Sequence, residues 1–242
     1  YQRWLFTLLS LAIGCSTVIA DTFSVTVKAV DADKKPVAKA EAALFWNVKD
    51  GTMTPADKKL IVTDAGGKAV LRVDDWDEKR PLMVLSADRT LGGIVGVSKA
   101  DDGKEVTVTL GPTVRVKGKL ECKELKFKPE WANTTVTVDG FRAFFTMDHN
   151  KAAAFEFVLP VGKYTLGSYG TDVEDAKQTV TLTNLRSEFD LGTLDLKASP
   201  VAKLRGKTLP EWVIAGARGV KADVKLANYK GKWVYIEFWG FW

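Results

Sequence analysis

The chain has 242 residues, 46% of them hydrophobic and 27% charged, with a formal net charge of +5. That composition is too apolar for intrinsic disorder and long enough for more than one core. Basic and acidic residues are interspersed, which excludes a dedicated nucleic-acid surface, and two cysteines exclude a disulfide framework.

At the amino terminus, Gln2 and Arg3 precede an apolar run from Trp4 to Ile13, and small residues follow through Ala20. Residues 1–20 therefore read as a secretory signal peptide, cleaved after Val18-Ile19-Ala20. The run is short for a permanent membrane helix, and Asp21 follows at once. In a second reading Leu11-Ala12-Ile13-Gly14-Cys15 resembles a loose lipobox, which would leave Cys15 lipidated and the chain on a membrane. Ala12 departs from that pattern, so simple cleavage ranks first. Both readings place the protein outside the cytoplasm, in a periplasm or at the cell surface. Because the sequence opens on Tyr1 rather than Met, it is expected to be a piece of a longer precursor.

From Phe23 onward, apolar and polar residues alternate with period two, as in strands with one buried face. Phe23, Val25, Val27 and Ala29 share one face. The pattern recurs in Ala69-Leu71-Val73, Val106-Val108-Leu110, Val114-Val116, Phe155-Phe157-Leu159 and Val180-Leu182, with Gly, Pro, Asn or Asp between runs. Many short strands with turn signals between them imply two antiparallel β-sandwiches. The division falls at Gly111-Pro112, where proline cannot donate to a ladder, giving sandwiches at residues 21–112 and 113–198.

Two motifs resemble carboxypeptidase regulatory-like, prealbumin-like domains. Val30-Asp31-Ala32-Asp33-Lys34-Lys35-Pro36-Val37-Ala38-Lys39-Ala40 is similar to their opening hairpin, and Thr63-Asp64-Ala65-Gly66-Gly67 to a later turn. Physically, Asp64 accepts backbone hydrogen bonds in the turn and a glycine takes positive φ. In the second module Pro160-Val161-Gly162-Lys163-Tyr164 resembles the Pro-x-Gly-x-Tyr hairpin, with Tyr164 packed at the turn. The resemblance implies seven-stranded sandwiches serving as spacers, or as binding modules for a polysaccharide or protein partner.

Within the sandwiches little points to catalysis. The single His149 cannot form a metal cluster and has no recognisable nucleophile beside it. Asp74-Asp75-Trp76-Asp77-Glu78 lacks the glycine and distal glutamate of a calcium loop and reads as a solvated turn. Neither metal nor cofactor is expected. Cys122 reads as a small strand residue, with a pairing to a downstream cysteine as the alternative. Asn133-Thr134-Thr135 fits the glycosylation pattern, which is too common by chance to carry weight.

After Ser199-Pro200 the period-two pattern stops. Residues 199–206 read as a linker, and a third domain is expected over 207–242. Gly206-Lys207-Thr208-Leu209-Pro210-Glu211-Trp212 leads to Leu226-Ala227-Asn228-Tyr229-Lys230-Gly231-Lys232. The run Trp233-Val234-Tyr235-Ile236-Glu237-Phe238-Trp239 then reads as a strand buried on both faces. In order and spacing these segments resemble the opening of exported thioredoxin-like redoxins of the TlpA and ResA type. The fold class expected is thus mainly β, two sandwiches followed by an incomplete thioredoxin-like α/β segment.

The resemblance implies a Cys-x-x-Cys pair immediately after Phe238-Trp239-Gly240-Phe241-Trp242, so no catalytic residue lies within the chain. Leu209, Trp212 and Gly240 depart from the family pattern. It further implies a parent thiol-disulfide oxidoreductase acting on protein thiols and disulfides, with Trp239 and Trp242 bordering its site. Glu237 stands where relatives carry a buried proton-relaying acid; its alternative role is that of an edge-facing strand charge. Alone, the chain would be inactive and weakly ordered after Ser199. The competing class is a surface or periplasmic binding or structural protein, without nucleic-acid partners and membrane-bound only through Cys15.

Overall fold

The computed structural model describes residues 22–49, 52–55, 61–74, 79–125, 132–138, 144–148, 154–208, 211, 218–221 and 223–235. Its strands are β1 (Thr22–Val30), β2 (Glu41–Ala43), β3 (Trp46–Lys49), β4 (Thr52–Pro55), β5 (Ile61–Val62), β6 (Lys68–Asp74), β7 (Arg80–Leu85) and β8 (Leu91–Val97). There follow β9 (Glu105–Thr109), β10 (Gly111–Glu121), β11 (Ala132–Val138), β12 (Phe144–Asp148), β13 (Ala154–Pro160), β14 (Gly162–Gly170), β15 (Ala176–Leu182) and β16 (Glu188–Asp195). One helical turn, α1, spans Pro200–Lys203.

The protein is mainly β, built of two sandwiches, as the alternation requires. Along β1, Phe23, Val25, Val27 and Ala29 are buried while the residues between them are only partly so. In the first module a sheet β6-β1-β9 faces strands β5-β2-β7-β8, and in the second β13-β10-β16 faces β12-β11-β14-β15. Each module's opening strand pairs antiparallel with one neighbour and parallel with the module's last strand: β1 with β6 and β9, β10 with β13 and β16. The opposing sheets repeat too, β2 pairing with β5 and β7 as β11 pairs with β12 and β14. The same seven-stranded topology thus occurs twice, with the β3-β4 hairpin inserted in the first copy.

Local chemistry fixes the turns. Thr63 Oγ1 accepts from the Ala40 amide at 2.9 Å and donates to the Val37 carbonyl at 2.8 Å, closing the first module's end. Asp64 Oδ1 accepts from Gly66 and Lys68 amides at 2.8 and 2.9 Å, and Gly67 takes φ +72°. A Cβ at Gly67 would stand 2.5 Å from the Ala29 carbonyl oxygen, so only glycine fits. In the second module the Tyr164 hydroxyl donates to the Pro160 carbonyl at 2.7 Å, packing the ring at the turn.

The cores meet at the module boundary. The chain crosses at Leu110, whose amide donates to Val30 in the first sheet at 2.7 Å, and enters β10 at once. At its start β10 still pairs with β8, Gly111 opposite Gly92, before it runs on into the second module. Strand β7 is buried on both faces: Leu82 and Val84 point into the first core, Met83 and Leu85 into the second. Trp46 and Val48 of the inserted hairpin also join the second core.

Residues 199–206 are docked rather than free. Ser199 Oγ accepts from the Ala202 amide at 3.2 Å, Ala202 is buried, and Lys203 and Arg205 pair with Glu124 and Asp172 at 3.2 and 2.7 Å. The expectation of a strand buried on both faces from Trp233 is corrected over its described part. Trp233, Val234 and Tyr235 lie in no strand, and Trp233 and Tyr235 are 104% and 88% exposed. Strand character needs a neighbouring strand for its backbone groups, and among the described residues none lies beside them.

Candidate functional site

The junction between the modules gathers the most unusual polar chemistry of the chain. Its centre is the turn that links β7 to β8. Asp88 Oδ1 accepts from Ser86 Oγ at 2.6 Å and from the Thr90 amide and hydroxyl at 3.1 and 2.9 Å. The Ser86 hydroxyl first, then Thr90, hold the Asp88 carboxyl below the usual carboxylate range. The Leu91 amide in turn donates to Ser86 Oγ at 2.9 Å. This lattice holds Arg89 in the left-handed region at φ 63°, a conformation that disfavours any residue with a Cβ.

Held there, the Arg89 side chain reaches across the junction. Its guanidinium bonds Glu41 of β2, approaches the Met53 carbonyl of β4 at 3.4 Å and lies over the Trp46 ring of β3 at 5.1 Å. The Arg89 carbonyl accepts from Thr113 Oγ1 of β10 at 2.5 Å. One residue thereby ties four strands from both modules. Arg89 Nη1 and Trp46 Nε1 are buried and have no hydrogen-bond partner among the described residues.

Two clefts lie near the junction. One, of about 400 Å³, is bordered by Arg89, Thr113, Arg115, Ser187 and Glu188. Its charges are paired: Arg115 with Glu156 at 2.7 Å, and Glu188 with Lys117 at 2.6 Å. The other, of about 350 Å³, is bordered by Gly92, Gly93, Ile94, Gly111, Gly162 and Lys163. Such volumes suit a small ligand or a short peptide segment.

Cys122 is fully buried and unbridged, and among the described residues no group of three His, Cys, Asp or Glu side chains is placed to hold a metal. Cys15, His149, Asp75–Glu78, Glu237, Trp239 and Trp242 lie outside the described residues. Asn133 is 3% exposed in β11, which removes it as a glycosylation acceptor in the folded chain. Sequence reasoning missed Arg89 and Trp46. The Ser-Ala-Asp-Arg-Thr turn was visible as polar punctuation, but Glu41 lies 48 positions from Arg89, a pairing no local pattern announces.

No helix among the described residues is long and apolar enough to cross a membrane. No known sequence family matches the chain. Nor does any curated protein sequence. Among solved structures, the Bacillus anthracis TIE protein aligns at 12% identity over 73% of this chain and 34% of that chain, with a TM-score of 0.31. The shaft pilin SpaA from Lactobacillus rhamnosus GG aligns at 11% identity over 74% and 98% of the two chains, with a TM-score of 0.29. BcpA, the major pilin subunit of Bacillus cereus, gives 9% identity over 74% and 100%, with a TM-score of 0.30. The chain is thus similar to these proteins only at a level that carries no argument, and it spans about a third of the first of them.

Proposed function

We propose that the chain is the non-catalytic arm of an exported thiol-disulfide oxidoreductase: an export signal at residues 1–20, two sandwiches joined into one spacer, and the start of a thioredoxin-like domain. The observation that carries this reading is the ordered series of landmarks after Ser199. Gly206-Lys207 and Pro210 come first, then Tyr229 with Gly231-Lys232, then the aromatic approach from Phe238 to Trp242. Docking of Ser199, Ala202 and Arg205 on the second sandwich supports it, since the chain leaves the spacer in a fixed direction. The exposed Trp233 and Tyr235 support it as well, because large aromatic surface of this kind is stabilised when neighbouring elements cover it.

In this reading the redox cysteines belong to residues beyond Trp242. A thiolate at a helix amino terminus would attack a disulfide of a client protein, and the second cysteine would resolve the mixed disulfide. Glu237 would hold and return the proton of the second thiol, and Trp239 and Trp242 would exclude water. The partners are protein thiols and disulfides, and the setting is a periplasm or cell surface. The test is insulin-disulfide reduction with dithiothreitol by the full-length protein. Catalysis at substoichiometric protein, lost when the second sulfur of the pair is replaced by serine, is expected; equal rates with and without the protein would refute the reading.

A second reading, a surface or periplasmic β-sandwich binding protein, is favoured by the junction clefts. It predicts no thiol exchange and instead saturable binding of a polysaccharide or protein to residues 22–208.

A further inference from the structure

Among the described residues, strand β8 has an open edge that differs from the other strand edges. Its sequence, Leu91-Gly92-Gly93-Ile94-Val95-Gly96-Val97, contains no charged residue. Every other edge strand of five or more residues carries one: Lys68 and Arg72 in β6, Glu105 in β9, Asp148 in β12, Glu156 in β13, Lys177 in β15, and Glu188 and Asp190 in β16. Charges on edges are the usual protection against strand addition, and β8 also lacks the proline, the bulge and the shortness that serve the same purpose.

The direction of its backbone groups follows from the register. Leu91 faces β7, since its carbonyl accepts from the Ser86 amide at 2.8 Å. With Val84 opposite Gly93 and Leu82 opposite Val95, residues 91, 93, 95 and 97 bond to β7. Gly92, Ile94 and Gly96 therefore turn their N–H and C=O groups the other way. Gly92 meets Gly111 at the start of β10. Beyond that point β10 does not exist, because the chain arrives from β9 at Leu110. Among the described residues no backbone group pairs with Ile94 or Gly96 on this side, and both residues are partly exposed.

Among the described residues the unpaired edge continues the line of β10, and its Ile94 end borders the cleft of about 350 Å³ between the modules. Gly92 and Gly93 are buried against Leu85, Val108 and the Thr109 carbonyl, whereas Gly111 has open space where a side chain would stand, so the room for another backbone lies at Gly111 and Ile94. The opposite wall is the hairpin at Val161, Gly162 and Lys163, and Lys163 is the one charged residue among the described residues on the border.

We propose that this slot binds an extended polypeptide segment of a partner protein by strand addition to β8. The occupant would be uncharged or acidic, with small or branched apolar side chains at alternate positions. A row of unpaired main-chain groups suits an extended segment and not a folded surface, and Lys163 disfavours basic sequences. The main-chain groups of Ile94 and Gly96 supply the ladder bonds. The inference stands apart from the redox reading, which concerns residues after Ser199.

The test uses the full chain and an acetylated, amidated heptapeptide alternating valine with threonine and carrying one glutamate. In the free chain the Ile94 and Gly96 amides should exchange hydrogen faster than those of Gly93 and Val95. Saturating peptide should slow them by about tenfold or more while amides elsewhere change little. Gly96→Pro removes an outward N–H without touching the β7 ladder, so it should keep the native melting curve and weaken binding by about tenfold or more. Ile94 packs against the second core and is left unaltered, so if the proline variant misfolds the exchange of the Ile94 and Gly96 amides in the unaltered chain decides alone. Unchanged exchange at Ile94 and Gly96 with peptide present would overturn the proposal. So would a dimer seen by sedimentation without peptide and lost in Gly96→Pro, which would make the occupant a second copy.

Discussion

Replacing Arg89 tests whether the junction is a structural tie or a surface decoration. Arg89→Ala removes the bond to Glu41 and the stacking on Trp46, in a pair whose side chains are only 25% and 22% exposed. A charge-assisted hydrogen bond is worth about 1.5–3 kcal/mol and a cation–π contact about 0.5–1 kcal/mol. The expected loss is therefore about 2–4 kcal/mol. The backbone offers an internal control, since Arg89 sits at φ 63°. Left-handed strain is shared by arginine and alanine but absent in glycine, at about 1–2 kcal/mol, against which glycine loses about 0.5–1 kcal/mol of chain entropy. Arg89→Gly should thus be more stable than Arg89→Ala by up to about 1 kcal/mol, although it deletes the same side chain. Urea unfolding followed by tryptophan fluorescence measures both. An Arg89→Ala midpoint indistinguishable from the parent, or a glycine variant less stable than the alanine one, would refute the reasoning.

Burial pushes the Tyr164 phenol well above its ordinary range. The folded state then keeps the proton that the unfolded state loses, so stability is complete below about pH 10 and falls as pH rises past it, at up to about 1.4 kcal/mol per unit. Tyr164→Phe should cost about 1 kcal/mol at neutral pH through the lost bond to Pro160, and should flatten that alkaline decline in urea titrations. Gly67→Ala meets the Ala29 carbonyl at 2.5 Å and should cost more than Gly103→Ala, which shares a positive φ of 68° but has open space around it. Gly103→Ala should cost only the left-handed penalty of about 1 kcal/mol, and thermal melts of the two variants give the difference. Thr63→Val strands the Ala40 amide and the Val37 carbonyl in a buried site, an expected loss of about 2–3 kcal/mol read by denaturant midpoint.

The β-sandwich architecture was legible because period two survives wherever one face is buried and the other wet. Phe23 to Ala29 on β1 and Phe155 to Leu159 on β13 carry that pattern plainly. The turn chemistry of Asp64, Gly67 and Tyr164 was legible for the same reason: each acts on backbone within a few residues. The junction was not. Met83 and Leu85 serve the second core from a strand of the first, and a continuous apolar run does not say which core each residue enters. Arg89 depends on partners brought together only by tertiary packing. The described part of the run, Trp233 to Tyr235, forms no strand because hydrophobicity cannot supply the neighbour that a strand requires.

The most direct measurement of the central claim is to identify, by mass spectrometry of the alkylated protein isolated from its own cells, the residues that follow Trp242. A carbamidomethylated Cys-x-x-Cys directly after Phe-Trp-Gly-Phe-Trp is the predicted result. Any continuation without that pair would contradict a redox arm and leave two locked sandwiches whose work is binding.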